Sequence, residues 1–83
     1  MRLIGKQKLQ KLFFDDMACV WVQAWVAEVL SANWRQAADV CVQFPGVRQS
    51  SSNEFIFSVR NCDREIHLQI AFQQGIAVVT DLQ

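Results

Sequence analysis

Charge is scarce in this 83-residue chain, and the net charge is zero. Charged residues make up 19% of the sequence, eight basic against eight acidic, whereas 52% of the residues are hydrophobic. A chain without net positive charge lacks the overall electrostatic signature of a nucleic-acid-binding protein. The apolar excess in so short a chain indicates that a partner or a second copy covers part of the surface, so we expect a homo-oligomer.

Metal and redox motifs are also missing. The chain has one histidine and three cysteines, Cys19, Cys41 and Cys62, without any C-x-x-C spacing. This set of residues does not match the common zinc motifs, and we expect neither a metal nor a cofactor. Cysteines without an evident pairing are typical of a reducing compartment, which predicts a cytoplasmic protein.

Long apolar runs are absent as well. The longest, residues 17–30, is interrupted by Gln23 and Glu28 and is too short to cross a bilayer. Asp15 and Asp16 lie where a secretory signal would need an uninterrupted apolar region. We therefore expect no membrane partner.

What positive charge there is concentrates at the N-terminus. The first eleven residues carry four basic side chains and no acid: Arg2, Lys6, Lys8 and Lys11. The rest of the chain has four basic residues against eight acids. A basic N-terminal helix predicts contact with phosphate or with an acidic partner, and a solvated helix face is the alternative.

The first half of the chain has helical periodicity. A short strand over residues 1–4 precedes Gly5, which permits a turn, and residues 6–14 form a helix with its apolar side chains on one face. We expect Asp15 or Asp16 to cap the N-terminus of a second helix that runs to about residue 32. This second helix is apolar almost all round, which predicts that it is covered on more than one side. Its apolar residues are Met17, Val20, Trp21, Val22, Trp25, Val26, Val29 and Leu30.

The second half has a period of two. Residues 33–53 are interpreted as an irregular connection, followed by strands over 54–60, 64–72 and 76–82. The turns are Asn61-Cys62-Asp63 and Gln73-Gln74-Gly75. The whole chain, 1–83, is then one α+β domain of order β-α-α-β-β-β, with an antiparallel sheet and two helices on one face. If the last strand ends at residue 82 with no helix after it, residues 76–79 form an exposed, apolar sheet edge, and we expect an oligomer joined through that edge or through the second helix.

The local sequence resembles the RelE superfamily of toxins, and more specifically the HigB-type mRNA interferases of bacterial toxin–antitoxin modules. The string that carries the resemblance is Ala32-Asn33-Trp34-Arg35, Ala38-Asp39 and Phe44-Pro45, with weaker matches at residues 1–4 and 53–59. The resemblance implies a RelE-like fold, a bacterial cytoplasmic protein, an antitoxin partner, and ribosome-bound mRNA as the substrate of an endoribonuclease without a cofactor.

The resemblance also implies a site on the open face of the sheet. Arg60 keeps a basic position of the family pattern, but Glu65 stands where the pattern has arginine, and Arg64 is displaced by one place. The family's final segment, Thr-His-x-Glu-Tyr-Asp, has no counterpart in these 83 residues. We therefore expect a C-terminally shortened, divergent member whose interferase activity is lost or weakened.

The candidate site residues follow from this reading. Arg60, Glu65 and His67 are the catalytic candidates, because Glu65 and His67 are i, i+2 neighbours able to act as an acid–base pair. Lys6, Lys8, Lys11 and Arg64 are the RNA-binding candidates, and the three tryptophans are assigned to packing. An ordinary polar sheet face is the alternative. Two other readings stay open: a non-catalytic module that binds an antitoxin or itself, and a fragment of a longer protein.

Overall fold

A computed structural model describes residues 1–16, 18–60 and 62–83; Met17 and Asn61, expected in the second helix and in the first hairpin turn, lie outside these ranges. A 3₁₀ turn at Lys6–Leu9 leads directly into the first helix. The helices are α1 (Gln10–Phe13), α2 (Cys19–Ser31) and α3 (Ala37–Gln43), and the strands are β1 (Arg2–Ile4), β2 (Arg48–Gln49), β3 (Glu54–Ser58), β4 (Glu65–Ala71) and β5 (Ile76–Leu82). The α+β class is confirmed.

The five strands form one sheet in the order β1-β5-β4-β3-β2. Strands β3, β4 and β5 form the expected antiparallel meander. β1 pairs parallel with β5, with Arg2 opposite Ile76 and Ile4 opposite Val78. The sheet is therefore mixed, so the expectation of a purely antiparallel sheet was wrong. The expectation that residues 76–79 form an exposed edge was also wrong, because β1 covers that side of β5.

Gly5 makes the parallel pairing of β1 possible. Its φ of 84° is in the left-handed region, as the turn expected after the first strand requires. A Cβ atom at this position would lie 2.7 Å from the carbonyl oxygen of Val79. The chain thus leaves β1 in direct contact with β5, and the 3₁₀ turn that carries Lys8 starts beside that strand.

The segment 33–53 is not irregular, which corrects the sequence interpretation. The Gln36 side chain accepts a hydrogen bond from the backbone N–H of Asp39, and the Asp39 carboxylate accepts one from the N–H of Gln36. This reciprocal capping box starts α3. The indole N–H of Trp34 donates to the Gln43 side chain at 2.9 Å, which fixes the last turn of α3. Trp34 and Asp39 of the Ala-Asn-Trp-Arg…Ala-Asp string thus have structural roles here.

The core lies between the helices and one face of the sheet. The inward alternation expected for the strands is confirmed for Phe55, Phe57 and Val59 and for Ile66, Leu68 and Ile70, all of which are buried. Helix α2 contributes Val22, Trp25, Val26 and Val29 to the same core. Its other side stays open within this chain, since Val20 and Leu30 are 76% and 50% exposed.

The opposite face of the sheet has no helix packed on it in the part of the chain that the structure describes. Its side chains are half-buried or exposed, in alternation with the buried ones. All three cysteines are free. Among the described residues, no helix is long and apolar enough to cross a membrane.

Candidate anion-binding site on the open face

A row of paired residues crosses the open face from β2 to β5. Arg48 is opposite Ile56, Ile56 is opposite His67, and His67 is opposite Asp81. Directly paired residues have their side chains on the same face of a sheet, so these four side chains lie side by side. The neighbouring row pairs Ser58 of β3 with Glu65 of β4. The open face therefore carries charge at both ends of its central row.

A β-bulge determines which face Asp81 occupies. Leu68 pairs with Val79, whereas His67 pairs with Asp81, so Thr80 is an additional residue in β5. Without this extra residue, Asp81 would lie on the same face as the buried Val79. The bulge is held in place on two sides: Thr80 Oγ1 donates to the His67 carbonyl at 3.2 Å, and Lys8 Nζ donates to the Thr80 carbonyl at 3.1 Å.

The Asp81 carboxylate is held in its ionised form. The Gln83 side-chain amide and the Leu82 backbone N–H each donate a hydrogen bond to it at 2.8 Å. These two bonds, with the nearby His67 and Lys8, lower the pKa of Asp81 below its ordinary value of 3.8, against a smaller opposing effect of burial. Asp81 is thus a fixed negative charge at neutral pH and a weak proton acceptor.

Three predicted RNA-binding residues converge on one shallow pocket of about 340 Å³. We call it the basic pocket; it is lined by Gln7, Lys8, Gln10, Lys11, Arg64, Asp81 and Leu82. Lys8 and Lys11 come from the N-terminal helical segment at i, i+3 spacing, and Arg64 comes from the residue before β4. Lys6, the fourth RNA-binding candidate, does not line the pocket. Three cations and one carboxylate thus line the pocket, which leaves a local excess of positive charge.

The catalytic candidates are not assembled into one free acid–base group. The Glu65 carboxylate forms an ion pair with Arg48, a residue that the sequence interpretation did not select. His67 is half-buried between Ile56 and Asp81, and its Nε2 atom is buried without a hydrogen-bond partner in the described residues. Arg60 follows β3 and lines a different pocket. Only the expected i, i+2 proximity of Glu65 and His67 on the open face is present.

That second pocket lies on the helix side, at the end of β3, and has a volume of about 620 Å³. We call it the aromatic pocket; it is lined by Trp21, Ala24, Trp25, Glu28, Gln43, Phe44, Pro45, Gly46, Val47, Phe57, Ser58 and Arg60. Trp21 and Trp25 are stacked with ring centroids 6.3 Å apart, and Phe57 meets both Trp25 and Phe44 edge to face. Sequence reasoning missed this pocket because it missed α3, which supplies Gln43.

The two pockets differ in what they can bind. Lysine and arginine side chains around the basic pocket can form charge-assisted hydrogen bonds to phosphate oxygens. The aromatic pocket offers flat apolar walls with a few polar groups. Among the described residues, no three His, Cys, Asp or Glu side chains come close enough to hold a metal ion.

No protein-family model matches this chain, and no curated protein matches it.

Proposed function

We propose that this chain is a HigB/RelE-like, toxin-related domain of a bacterial toxin–antitoxin type system, which binds RNA but has lost most or all mRNA interferase activity. The element order supports the first part: a strand, helices on one face, and an antiparallel meander of three strands. The observation that carries the RNA-binding part is the convergence of Lys8, Lys11 and Arg64 on one pocket.

The convergence matters because the chain as a whole has no net charge. Lys8 and Lys11 are separated from Arg64 by more than fifty residues, yet the fold brings all three to the rim of one pocket. Phosphate groups of RNA are the ligands that such exposed cations favour, and the interaction weakens as salt rises. The Asp81 carboxylate, which also lines the pocket, opposes part of this attraction and keeps the affinity modest.

The open face does not support efficient cleavage. Attack of a ribose 2′-OH on the neighbouring phosphate needs an accessible proton acceptor, a proton donor and cations near the developing charge. Glu65 is occupied by Arg48, and Nε2 of His67 is buried. Asp81 is accessible, but its lowered pKa makes it a weak base. The cations are thus in place, while the acid–base groups are not.

Induction of the chain in a bacterial host tests the proposal. We expect normal growth and intact translated mRNA, together with binding of the purified protein to single-stranded RNA at low salt. Growth arrest with mRNA cleavage, abolished by His67→Ala or Arg60→Ala, would instead mean that the open face is a working active site. A purified protein that does not bind RNA would contradict the binding half of the proposal.

A specific observation favours a second candidate function, a non-catalytic module that binds an antitoxin or a second copy of itself. Phe14, Val20 and Val42 are 86%, 76% and 80% exposed, which is unusual for large apolar side chains. Light scattering distinguishes the alternatives: a dimer or larger oligomer that Val20→Lys dissociates supports self-association. A monomer at high concentration contradicts self-association and leaves an antitoxin as the partner of these exposed side chains.

A further inference from the structure

The aromatic pocket contains polar groups that have no role in the basic pocket or on the open face. Trp25 is 1% exposed, yet its indole N–H has no hydrogen-bond acceptor among the described residues. A buried donor of this kind is normally satisfied by a partner. The Nε1 atom itself is closed off from solvent, but Trp25 forms part of the pocket wall, so its indole N–H signal reports on what binds there.

Two charged side chains of opposite sign lie on the rim of this pocket. Glu28 and Arg60 are both exposed, and neither takes part in an ion pair within the described part of the chain. Gln43 adds a third polar group: its oxygen accepts the Trp34 indole N–H, which leaves its amide N–H₂ group as a donor. The pocket thus offers several donors and one carboxylate as an acceptor.

The size and the aromatic walls of the pocket suit a small planar ring system. A volume of about 620 Å³ is within the range of pockets that hold small organic ligands. Trp21 is half-buried and stacks on Trp25, while Phe44 and Phe57 close the wall edge to face. Aromatic side chains in such an arrangement stack on the π-faces of nucleobases.

From these groups we propose that the aromatic pocket binds a guanine base. Guanine alone among the four RNA bases has two adjacent N–H donors on its Watson–Crick edge, which a carboxylate such as Glu28 can accept together. Its O6 and N7 atoms are acceptors that an arginine binds in a bidentate manner, the role available to Arg60.

The source of the base is either free guanine nucleoside or an unpaired guanine of RNA, and the second source rests on the proposed function. Arg60 and Arg64 both belong to the connection between β3 and β4, so both pockets lie at the same end of the sheet. An RNA strand with its phosphates in the basic pocket therefore has a base-binding pocket on the other side of this loop.

Titration of the full ¹⁵N-labelled chain with guanosine, adenosine, cytidine and uridine tests the inference, because nucleosides carry no phosphate for the basic pocket. The Trp25 indole N–H signal, assigned with Trp25→Phe, is the readout. We expect a saturable shift with guanosine and at least about tenfold weaker binding of the other three, since a well-placed polar pair discriminates by roughly this factor. Glu28→Gln should weaken guanosine binding by at least about tenfold, and Glu54→Gln, a matched exposed carboxylate on β3, should not.

Three results would overturn the inference: no saturable shift, equal affinity for all four nucleosides, or a Glu28→Gln variant that binds guanosine like the unmodified chain. A second experiment tests guanine binding independently of the proposed RNA binding. Replacing Lys8, Lys11 and Arg64 with alanine should leave guanosine affinity unchanged while RNA affinity falls. Guanosine binding without any RNA binding would support the pocket and contradict the proposed function.

Discussion

The basic pocket and the aromatic pocket lie at the same end of the sheet, but their lining side chains differ in kind and in burial. The aromatic pocket is walled by the core itself, with Trp25 and Phe57 only 1% and 3% exposed. The basic pocket is lined by exposed lysines that contribute nothing to the core. Binding in the first is therefore coupled to folding, whereas charges around the second can be removed without loss of the fold.

Replacement of a buried wall residue gives the largest expected effect. Trp25→Ala should lower the free energy of unfolding by about 3–5 kcal/mol, the usual cost of removing a buried tryptophan. For a domain this small, that is most or all of the stability. Lys11→Ala, the matched change in the basic pocket, should alter it by less than about 0.5 kcal/mol. Urea denaturation measures both; similar losses in the two variants would refute the distinction between the pockets.

A glycine pair tests how β1 packs against β5. Gly5 and Gly75 both have positive φ, so alanine is strained at either position. Only at Gly5 would the added Cβ collide with backbone, the Val79 carbonyl oxygen. Gly5→Ala should therefore cost about 2–3 kcal/mol, and Gly75→Ala about 1 kcal/mol. Thermal denaturation compares the two, and a larger loss for Gly75→Ala would contradict the packing of β1 against β5.

Local patterns predicted the meander but not the complete sheet. The alternation around Phe55, Phe57, Ile66 and Leu68 determined both the strands and their inward face, because burial follows a period of two. The pairing of β1 with β5 joins residues at opposite ends of the chain, so no periodic pattern in the local sequence can predict it. Helix α3 was missed because seven residues are too few for a clear helical period, although Gln36 and Asp39 are spaced as a capping box.

The candidate site could be predicted only in part. Lys8 and Lys11 are near neighbours on one helical segment, but their proximity to Arg64 depends on the tertiary fold. The position of Asp81 opposite His67 depends on a bulge at Thr80, which the sequence of β5 does not mark with glycine. The pairing of Glu65 with Arg48 depends on β2, a strand of two residues that leaves no periodic signal.

Replacement of Asp81 tests how the carboxylate of the basic pocket affects RNA affinity. Asp81→Asn removes the single carboxylate among its three cations, so RNA should bind about two- to fivefold more tightly at low salt. Fluorescence anisotropy with a labelled single-stranded RNA measures the change, and Glu54→Gln is the control for loss of one negative charge elsewhere. Weaker binding by Asp81→Asn would mean that the carboxylate positions the cations rather than opposing the phosphate.

The smallest effect concerns pH. Because the folded-state pKa of Asp81 is lowered from 3.8, its ionised form stabilises the fold above that value, and this contribution is lost as the pH falls through the lowered pKa. Asp81→Asn should thus melt slightly below the unmodified chain at neutral pH, with the difference vanishing in acid. Melting temperatures measured across this range test it; a difference that grows toward acid pH would have the wrong sign.

Lys8, Lys11 and Arg64 form the proposed RNA-binding surface, and the salt dependence of RNA affinity tests this proposal most directly. Replacing all three with alanine should reduce the slope of log affinity against log salt by about 2, since each phosphate contact on a single strand contributes about 0.7. The matched variant replaces Arg2, Lys6 and Arg35, three exposed cations outside the pocket, and should change the slope by less than about 0.7. Equal changes in the two variants, or an unmodified chain that does not bind RNA, would contradict the account.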